Sequence, residues 1–258
     1  MLARVGVPPL IPCLSRMEEY DAIAEQYRDS KRLPFRDCIE RYTLFELLGD
    51  IRGKSILDMA CGDGSYTRLL KQAGASNVTG IDVSSEMICL AEEVERQHPL
   101  GCKYVHQDVS DFVTRETVDI VVAMYLLNYA RTGQQLQRFC QVCHDALRPG
   151  GRFVGFNDNI LSPRQGTVSW RQYGIEKSRV PNPKEGDAIR YTITNSDGQE
   201  FQFKNFFLSP DTYRDAFQRA GFQDFRWLDV MLHPAQRGNP FWDTFMTNPP
   251  VVPFATSR

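Results

Sequence analysis

The residues best suited to chemistry lie in segment 58–66, which reads Asp-Met-Ala-Cys-Gly-Asp-Gly-Ser-Tyr. A strand pattern precedes this segment and a helical pattern follows it, so Gly62 and Gly64 fall in the turn between them. Glycine lets the backbone bend sharply there and lets a ligand approach the main chain. Open α/β sheets bind nucleotides at such turns, beyond the carboxyl ends of the strands. The segment therefore predicts a binding turn for a nucleotide or a nucleoside.

Two further carboxylates follow later strand patterns. Asp82 ends the second predicted strand, where it can accept hydrogen bonds from both hydroxyls of a ribose. Asp108 follows the third, where it can meet the amine of an adenine or simply cap a helical turn. The third glycine of a dinucleotide fingerprint is replaced by Thr67, so that match is incomplete. Together with Asp58, and with no phosphate-binding lysine at the turn, the pattern favours a cationic nucleoside without phosphates.

The elements that must position these residues alternate along the chain. A helix is predicted from about Pro34 to Leu48, and the strands and helices that follow it alternate. The predicted strands are Ser55–Ala60, Asn77–Asp82, Lys103–Gln107, Val118–Tyr125 and Arg152–Asn157, and the helices between them are Ser65–Ala73, Ser85–Arg96 and Gln134–Leu147. This alternation predicts an α/β fold with a doubly wound parallel sheet covered by helices on both faces.

The rhythm changes after Asn159. Residues 163–186 look irregular, and the alternating segments Ala188–Thr194 and Glu200–Phe207 flank Asn-Ser-Asp-Gly, which is a strong hairpin signal. Segment 159–209 is therefore predicted to form an inserted β-hairpin cap. The remaining predicted elements are a helix over Pro210–Ala220, a strand over Phe225–Leu232, a short helix near Phe241–Met246 and a strand over Val251–Ala255.

Composition narrows the class of protein. The chain has 258 residues, 42% of them hydrophobic, and can bury one full core, so residues 17–258 are predicted to form a single domain. Residues 1–16 are apolar but interrupted by three prolines, which favours a disordered extension. The net charge is −2, and no basic stripe suggests nucleic acid as a partner.

The sequence also argues against a membrane protein, an exported protein and a metalloprotein. No apolar run reaches the roughly 18 residues of a membrane span, so no membrane association is expected. Seven scattered cysteines are typical of reduced thiols in a cytoplasmic protein. No cluster of ligands has metal-binding spacing, so no metal is predicted.

Five motifs in series resemble the class I S-adenosylmethionine-dependent methyltransferases, over about residues 17–220. They are Ile-Leu-Asp-Met-Ala-Cys-Gly-Asp-Gly64, Val-Thr-Gly-Ile-Asp82, Gln-Asp108-Val, Asp119-Ile-Val-Val-Ala-Met-Tyr125 and Leu-Arg-Pro-Gly-Gly151. The resemblance implies S-adenosyl-L-methionine as the cofactor, S-adenosyl-L-homocysteine as the product, and a Rossmann-like, mostly parallel seven-stranded sheet with an N-terminal helical lid. Ala60 and Cys61 stand where many members carry glycine.

The resemblance also implies roles for individual residues. The cofactor-binding positions are Ala60, Gly62 and Gly64 for the methionine part, with Asp58 supporting the turn, Asp82 for the ribose, and Met87, Asp108 and Val109 for the adenine. Tyr125 lies nearby, and Tyr20, Tyr27 and Arg28 belong to the lid. Met87 would equally suit a plain core position. Tyr20 and Tyr27 are seven residues apart, a helical repeat that would also suit ordinary packing.

The substrate is expected above the ends of the fourth and fifth strands. Asn128 follows the fourth predicted strand and Asn157 ends the fifth. The cap contributes further candidates, which are the aromatic residues Trp170, Tyr173, Tyr191 and Phe206. So many aromatic residues favour a planar, small-molecule acceptor, methylated on nitrogen or oxygen in secondary metabolism. A closer resemblance, carried by Ser-Lys-Arg-Leu-Pro-Phe-Arg36 and Gly-Asn-Pro-Phe-Trp242 among others, is to toxoflavin-synthase-like enzymes that N-methylate a bicyclic heteroaromatic compound.

The expected mechanism is in-line displacement, mainly through proximity and orientation, which can supply about 7–11 kcal/mol. If a general base acts, the candidates are His233, Tyr20 and Asp158. Two other functions stay open, namely a nicotinamide-dependent oxidoreductase and a non-catalytic binding protein of the same fold. Either a monomer or a homodimer is compatible with the sequence.

Overall fold

The computed structural model describes residues 23–161, 168–178 and 180–258. Its main sheet has seven strands in the order β3-β2-β1-β4-β5-β10-β9. These strands are β1 Ser55–Met59, β2 Asn77–Asp82, β3 Lys103–His106, β4 Val118–Met124, β5 Leu147–Asp158, β9 Gln223–Trp227 and β10 Val251–Ser257. Strands β1 to β5 pair in parallel, and β10 is antiparallel to both β5 and β9. The predicted mostly parallel seven-stranded sheet is thus confirmed.

Seven α-helices flank the sheets in the described part of the chain. They are α1 Ala24–Ser30, α2 Tyr42–Leu48, α3 Ser65–Gln72, α4 Ser85–Gln97, α5 Gly133–Ala146, α6 Pro210–Arg219 and α7 Asp243–Thr247. A π-helical turn over Arg36–Arg41 leads into α2, so the helix predicted from 34 to 48 contains one wider turn. Side-chain caps define where several helices begin: Ser84 accepts from the Met87 N–H, and Thr132 accepts from the Gln135 N–H.

The core lies on both faces of the main sheet. Successive strand residues point to opposite faces, and both faces are apolar. Ile56 and Val122 belong to the cluster on the face that α2 covers, whereas their neighbours Leu57 and Val121 belong to the cluster beneath α5 and α6. This double burial holds the carboxyl ends of β1 to β5 along one edge, where the predicted site lies.

The cap is a three-stranded antiparallel sheet, in the order β6-β7-β8. Its strands are β6 Ile175–Ser178, β7 Ala188–Thr194 and β8 Glu200–Phe206. The hairpin of β7 and β8 agrees with the prediction, but β6 corrects the expectation that 163–186 is irregular. Helix α1 packs on this sheet, because the Tyr27 ring contacts Phe201 and Phe203 edge-on with centroids 6.2 and 6.3 Å apart.

Parts of the sequence prediction lie outside the described residues. These parts are the proposed extension 1–16, Tyr20 and residues 162–167 of the cap segment. Within the ranges that the structure covers, no helix is both long and apolar enough to traverse a bilayer.

Candidate functional site

Asp82 joins the end of β2 to the turn after β1. Its Oδ2 accepts a hydrogen bond from the Gly62 N–H at 2.8 Å, and its Oδ1 accepts from the Ser84 N–H at 2.9 Å. Burial raises the pKa of this carboxyl group, against the opposing effect of the backbone N–H groups of Ser84 and Gly62. A carboxylate has about four lone-pair sites. The two backbone bonds therefore fix its orientation and leave acceptor capacity for a ligand.

The turn after β1 has an unusual backbone. Ala60, Gly62 and Gly64 all have positive φ, at 61°, 57° and 75°. Glycine adopts this region readily, but alanine there is strained. A Cβ added to Gly64 would lie 2.6 Å from the Tyr104 hydroxyl oxygen, so Gly64 packs beneath the turn against Tyr104. The space above Gly62 is open, since an added Cβ there meets only a Tyr27 ring carbon, at 3.9 Å.

Asp58 supports the turn from within the core. It is fully buried, and its Oδ2 accepts a hydrogen bond from the Thr67 hydroxyl at 2.7 Å. Burial raises the pKa of Asp58 to about 6, although the Thr67 bond opposes this shift. Thr67, which replaces the third glycine of the fingerprint, therefore anchors the turn.

Gly80, on β2, gives Cys61 the room it needs. A Cβ added to Gly80 would lie 2.7 Å from the Cys61 sulfur and 2.9 Å from the Thr67 hydroxyl oxygen. Side chains essentially never approach this closely, because packed interiors leave no such overlap. Gly80 thus accommodates the cysteine that stands where many family members carry glycine.

A cleft lies above these strand ends, and we call it the carboxylate cleft. Its empty volume, including its open mouth, is about 830 Å³. The sequence-predicted residues on its wall are Tyr27, Ala60, Gly62, Asp82, Met87, Asp108, Val109 and Phe206. Asp108 also accepts a hydrogen bond from the Ser110 N–H at 2.7 Å, so it caps a short turn as well as lining the cleft. Met87 is likewise both buried core and cleft wall.

Sequence reasoning missed other parts of this wall. They are Val83, Met124, Leu126, Tyr129, Arg131, Phe139 and Lys204. Arg131 and Lys204 are exposed cations at the rim, and the Arg131 guanidinium lies 4.5 Å from the centre of the Phe206 ring. Strand alternation could have placed Lys204 and Phe206 on one side of β8, but only the packed cap brings that strand over the cleft.

Four predicted cofactor residues in the described part of the chain lie off the wall of the cleft. Asp58 and Gly64 act beneath the turn, as described above, and Arg28 is half-buried on α1 away from the cleft wall. Tyr125 lines a neighbouring cavity. Tyr20 is not among the described residues.

The neighbouring cavity, which we call the aromatic pocket, is lined by residues of α1 and of the cap, and its empty volume, including its opening to solvent, is about 380 Å³. Its wall comprises Tyr27, Phe35, Arg36, Tyr125, Tyr129, Ile175, Tyr191, Ile193, Phe203, Asn205 and Val251. Tyr27 and Tyr129 also border the carboxylate cleft, so the two cavities are neighbours. A molecule in the aromatic pocket would therefore lie beside a ligand in the cleft.

A buried carboxylate, Glu40, organises one end of the aromatic pocket. It accepts hydrogen bonds from Arg36 Nη1 at 2.6 Å, from the Tyr66 hydroxyl at 2.6 Å and from the Tyr125 hydroxyl. Burial and the Glu40 charge together raise the pKa of Tyr125 well above its usual value, so this phenol stays protonated. Sequence reasoning missed Glu40, although its four-residue spacing from Arg36 on a helix predicts an ion pair.

Two of the proposed general bases, His233 and Asp158, lie among the described residues. His233 is exposed, and its Nδ1 accepts a hydrogen bond from the Ala235 N–H at 3.2 Å. Asp158 is fully buried, where it pairs with Lys177 and accepts a hydrogen bond from the Tyr191 hydroxyl. Neither side chain lines the described wall of the cleft or of the pocket.

Four predicted substrate residues pack in the interior instead. The Trp170 indole donates to the Asn248 carbonyl at 2.8 Å, and the Tyr173 ring stacks on Trp242 with centroids 5.6 Å apart. Asn157 donates to the Tyr213 hydroxyl at 2.9 Å. Asn128 is fully buried and, like these three, lies off the described walls of both cavities. Tyr191 and Phe206 are the predicted substrate residues that do line a cavity.

We also searched the described residues for a possible metal site. No group of three or more histidine, cysteine, aspartate or glutamate side chains there could hold a metal ion.

Comparison with known proteins assigns the domain. Residues 56–151 match the family model described as "Methyltransferase domain". A "Ubiquinone biosynthesis O-methyltransferase" from Coxiella burnetii (strain Dugway 5J108-111) is 33% identical over 114 residues, which cover 43% of this chain and 47% of that protein. A protein of the same name from Cronobacter sakazakii is 26% identical over 157 residues, covering 58% of this chain and 63% of that one. The chain thus spans about half the length of the first of these relatives.

Solved structures share the fold. The "DhpI-SAM-HEP complex" matches with a TM-score of 0.63 and 23% identity, covering 95% of this chain and 96% of that one. An S-adenosylmethionine-dependent methyltransferase from Mesorhizobium loti matches with a TM-score of 0.58 and 19% identity, covering 85% and 97%. At sequence identities of 19% and 23%, this similarity shows a shared fold.

Residues 56–151 thus match a methyltransferase domain, and the chain has the fold of the class I S-adenosylmethionine-dependent methyltransferases, the family that its motifs resemble. The cofactor by which that family is defined is S-adenosylmethionine.

Proposed function

We propose that this chain transfers a methyl group from S-adenosylmethionine to a nitrogen or oxygen of a small aromatic or heterocyclic metabolite. The observation that carries the proposal is Asp82, which backbone N–H groups of Gly62 and Ser84 hold at the wall of the carboxylate cleft. An oriented, largely buried carboxylate suits the paired hydroxyls of a ribose.

The rest of the cleft fits the same cofactor. The apolar residues Met87 and Val109 line the cleft together with Asp108, a combination suited to a flat adenine with an exocyclic amine. Next to the open space above Gly62, the strained Ala60 brings main chain to the cleft wall, where the methionine part would lie. The two carboxylates of the wall, Asp82 and Asp108, also favour the positive charge of a sulfonium, whereas the cations Arg131 and Lys204 are exposed to solvent.

When bound, S-adenosylmethionine supplies an electrophilic methyl carbon on its sulfonium. The protein's part is to orient the acceptor and to exclude water, which can supply about 7–11 kcal/mol through proximity. The aromatic pocket supports this role, because it adjoins the cleft at Tyr27 and Tyr129. With Asp158 already paired and His233 exposed, we favour transfer without a dedicated base.

Two resemblances bear on the acceptor atom. The relatives named as ubiquinone biosynthesis O-methyltransferases support an oxygen acceptor. The motif resemblance to toxoflavin-synthase-like enzymes supports a nitrogen acceptor on a bicyclic heteroaromatic compound. Substrate panels of phenols and N-heterocycles, analysed by mass spectrometry with methyl-labelled S-adenosylmethionine, separate these two chemistries.

The composition supports a cytoplasmic enzyme with a small-molecule partner, acting as a monomer or a homodimer. The described cysteines are free thiols, and Cys140 and Cys143 are fully buried on α5. These features support a role in the reducing cytoplasm rather than in export.

Calorimetry tests the cofactor assignment. We expect S-adenosylhomocysteine to bind and a nicotinamide dinucleotide not to bind. Binding of the dinucleotide alone would overturn the proposal in favour of an oxidoreductase. Binding of S-adenosylhomocysteine without methyl transfer to any member of the acceptor panel would instead identify a non-catalytic binding protein.

A further inference from the structure

Two residues on the wall of the aromatic pocket each carry a buried polar atom that has no hydrogen-bond partner among the described residues. The Arg36 side chain is 7% exposed, and although Nη1 donates to Glu40, its Nε–H has no acceptor among the described residues. Asn205 is 2% exposed, and its Oδ1 has no donor within the same described ranges. Buried polar groups are nearly always hydrogen-bonded, and leaving one unpaired is costly. A donor and an acceptor without partners on one cavity wall indicate that a ligand completes them.

The charges around the pocket are already balanced. Arg36 is paired with Glu40, and Asp158, which holds the Tyr191 hydroxyl, is paired with Lys177. The rest of the described wall is aromatic, aliphatic or amide. An ionised ligand would bring an uncompensated charge into this environment, so an uncharged ligand is favoured.

The wall is also shaped for a flat molecule. The Tyr191 and Phe203 rings occupy paired positions on β7 and β8, with an interplanar angle of 4° and centroids 5.1 Å apart. Tyr27 meets Phe203 edge-on at a centroid distance of 6.3 Å. Aromatic walls of this kind bind planar ring systems through their faces and edges.

We infer that Arg36 and Asn205 select the methyl acceptor. The acceptor is an uncharged planar ring compound that presents a carbonyl oxygen to the Arg36 Nε–H and an N–H or O–H group to Asn205 Oδ1. This inference rests on the proposed function, because the pocket receives a methyl acceptor only if the adjoining cleft holds the cofactor.

Quinolones are suitable probes because they carry both groups on one flat, neutral bicycle. In 2-quinolone the N–H and the carbonyl are adjacent, and in 4-quinolone they lie across the ring. The N-methyl derivatives lack the N–H, and quinoline lacks both the N–H and the carbonyl. With the full chain saturated with S-adenosylhomocysteine, we expect at least one quinolone to bind about tenfold more tightly than its N-methyl derivative and than quinoline in calorimetry.

A matched pair of variants tests the residue assignment. Asn205→Leu removes the acceptor and should abolish the preference for the N–H compound. Asn195→Leu is the control, because Asn195 is also buried in the cap, has an unpartnered Oδ1 within the described residues, and lies off the pocket wall. It should retain the preference. The comparison of probes on the unaltered protein stands even if a variant fails to fold.

The outcomes separate the two levels of the proposal. If S-adenosylhomocysteine binds but the quinolones bind no better than quinoline, or not at all, the inference about Arg36 and Asn205 is wrong and the proposed function survives. An equal loss of preference in both variants would also overturn it. If S-adenosylhomocysteine does not bind, the proposed function itself fails.

Discussion

The carboxylate of Asp82 accepts a hydrogen bond from the backbone N–H of Gly62 at 2.8 Å, so the end of β2 holds the turn that follows β1. This hydrogen bond stabilises the shape of the glycine turn. It also orients the Asp82 carboxylate, whose remaining lone pairs can accept hydrogen bonds from a ligand. The turn and the carboxylate are expected to lose their binding function together.

Replacing Asp82 tests this dependence. Asp82→Ala removes an acceptor for ligand hydroxyls and frees the Gly62 N–H. Hydrogen bonds to charged groups contribute about 1.5–3 kcal/mol, so we expect the affinity for S-adenosylhomocysteine to fall roughly 10- to 150-fold. Calorimetry measures the change, with Asp50→Ala as a control at an exposed carboxylate. Unchanged affinity in Asp82→Ala would contradict the site assignment.

The close packing of Gly80 and Cys61 predicts a compensating pair of substitutions. Gly80→Ala places a Cβ 2.7 Å from the Cys61 sulfur, which must move and distort the turn. Overpacking typically costs about 1–3 kcal/mol, so we expect lower stability and weaker S-adenosylhomocysteine binding. Adding Cys61→Gly removes the obstruction and should restore part of both. Additive losses in the double variant, measured by denaturation and calorimetry, would argue against this account.

Asp58 predicts a specific dependence of stability on pH. Its pKa is raised from 3.8 to about 6 in the folded protein, so the folded state binds this proton more tightly than the unfolded chain. The free energy of unfolding therefore falls as pH rises from about 4 to about 6, by roughly 3 kcal/mol from this group. Asp58→Asn abolishes the contribution, so the variant should gain stability relative to the native protein over that interval.

Denaturant titrations at several pH values measure this difference. Other carboxylates, including Asp119 with a pKa lowered to about 2 by the Ser55 N–H and Arg148, titrate in both proteins and cancel. Stability curves that run parallel for the native protein and Asp58→Asn would show that Asp58 is not the responsible group.

The buried pair of Lys177 and Asp158 ties the cap to β5. Lys177→Met leaves the fully buried Asp158 carboxylate without its cation, which typically costs about 3–5 kcal/mol. We expect a loss of this size in the free energy of unfolding, and partial recovery when Asp158→Asn is added. The matched control is Arg171→Met. This substitution breaks an exposed ion pair with Glu176, which lies next to Lys177 on β6, and it should cost at most about 1 kcal/mol. Equal effects of the two single substitutions would contradict the argument.

The sequence predicted the main sheet well because its signals are local. Asn77–Asp82 was predicted with the bounds that the structure has, since an apolar strand ends there at a polar turn. Strand β6 was missed because its four residues, Ile-Glu-Lys-Ser, carry no hairpin signal and find their partner on β7, across residues 179–187. Strand β5 begins at Leu147 rather than Arg152, because Leu147 pairs with Val118 on β4 ahead of an irregularity in the register.

The candidate site divides in the same way. Asp82 and Asp108 could be predicted because a residue at a parallel strand end must lie on the cleft edge. Trp170 and Tyr173 were predicted as substrate residues because aromatic side chains suit a pocket as well as a core, and the folded structure buries both of them. Asn205 gave no signal in the sequence, since its significance depends on an unmade hydrogen bond in the described structure.

The Tyr27 ring belongs to the walls of both the carboxylate cleft and the aromatic pocket. If one ligand shifts this ring, the other ligand meets an altered wall, so the two occupancies are thermodynamically linked. Such linkage is reciprocal. If bound S-adenosylhomocysteine changes the affinity for a quinolone by some factor, the bound quinolone changes the affinity for S-adenosylhomocysteine by the same factor. In that case helix α1, which presents Tyr27 to both cavities, would couple the binding of a cofactor in the cleft to the binding of an acceptor in the pocket.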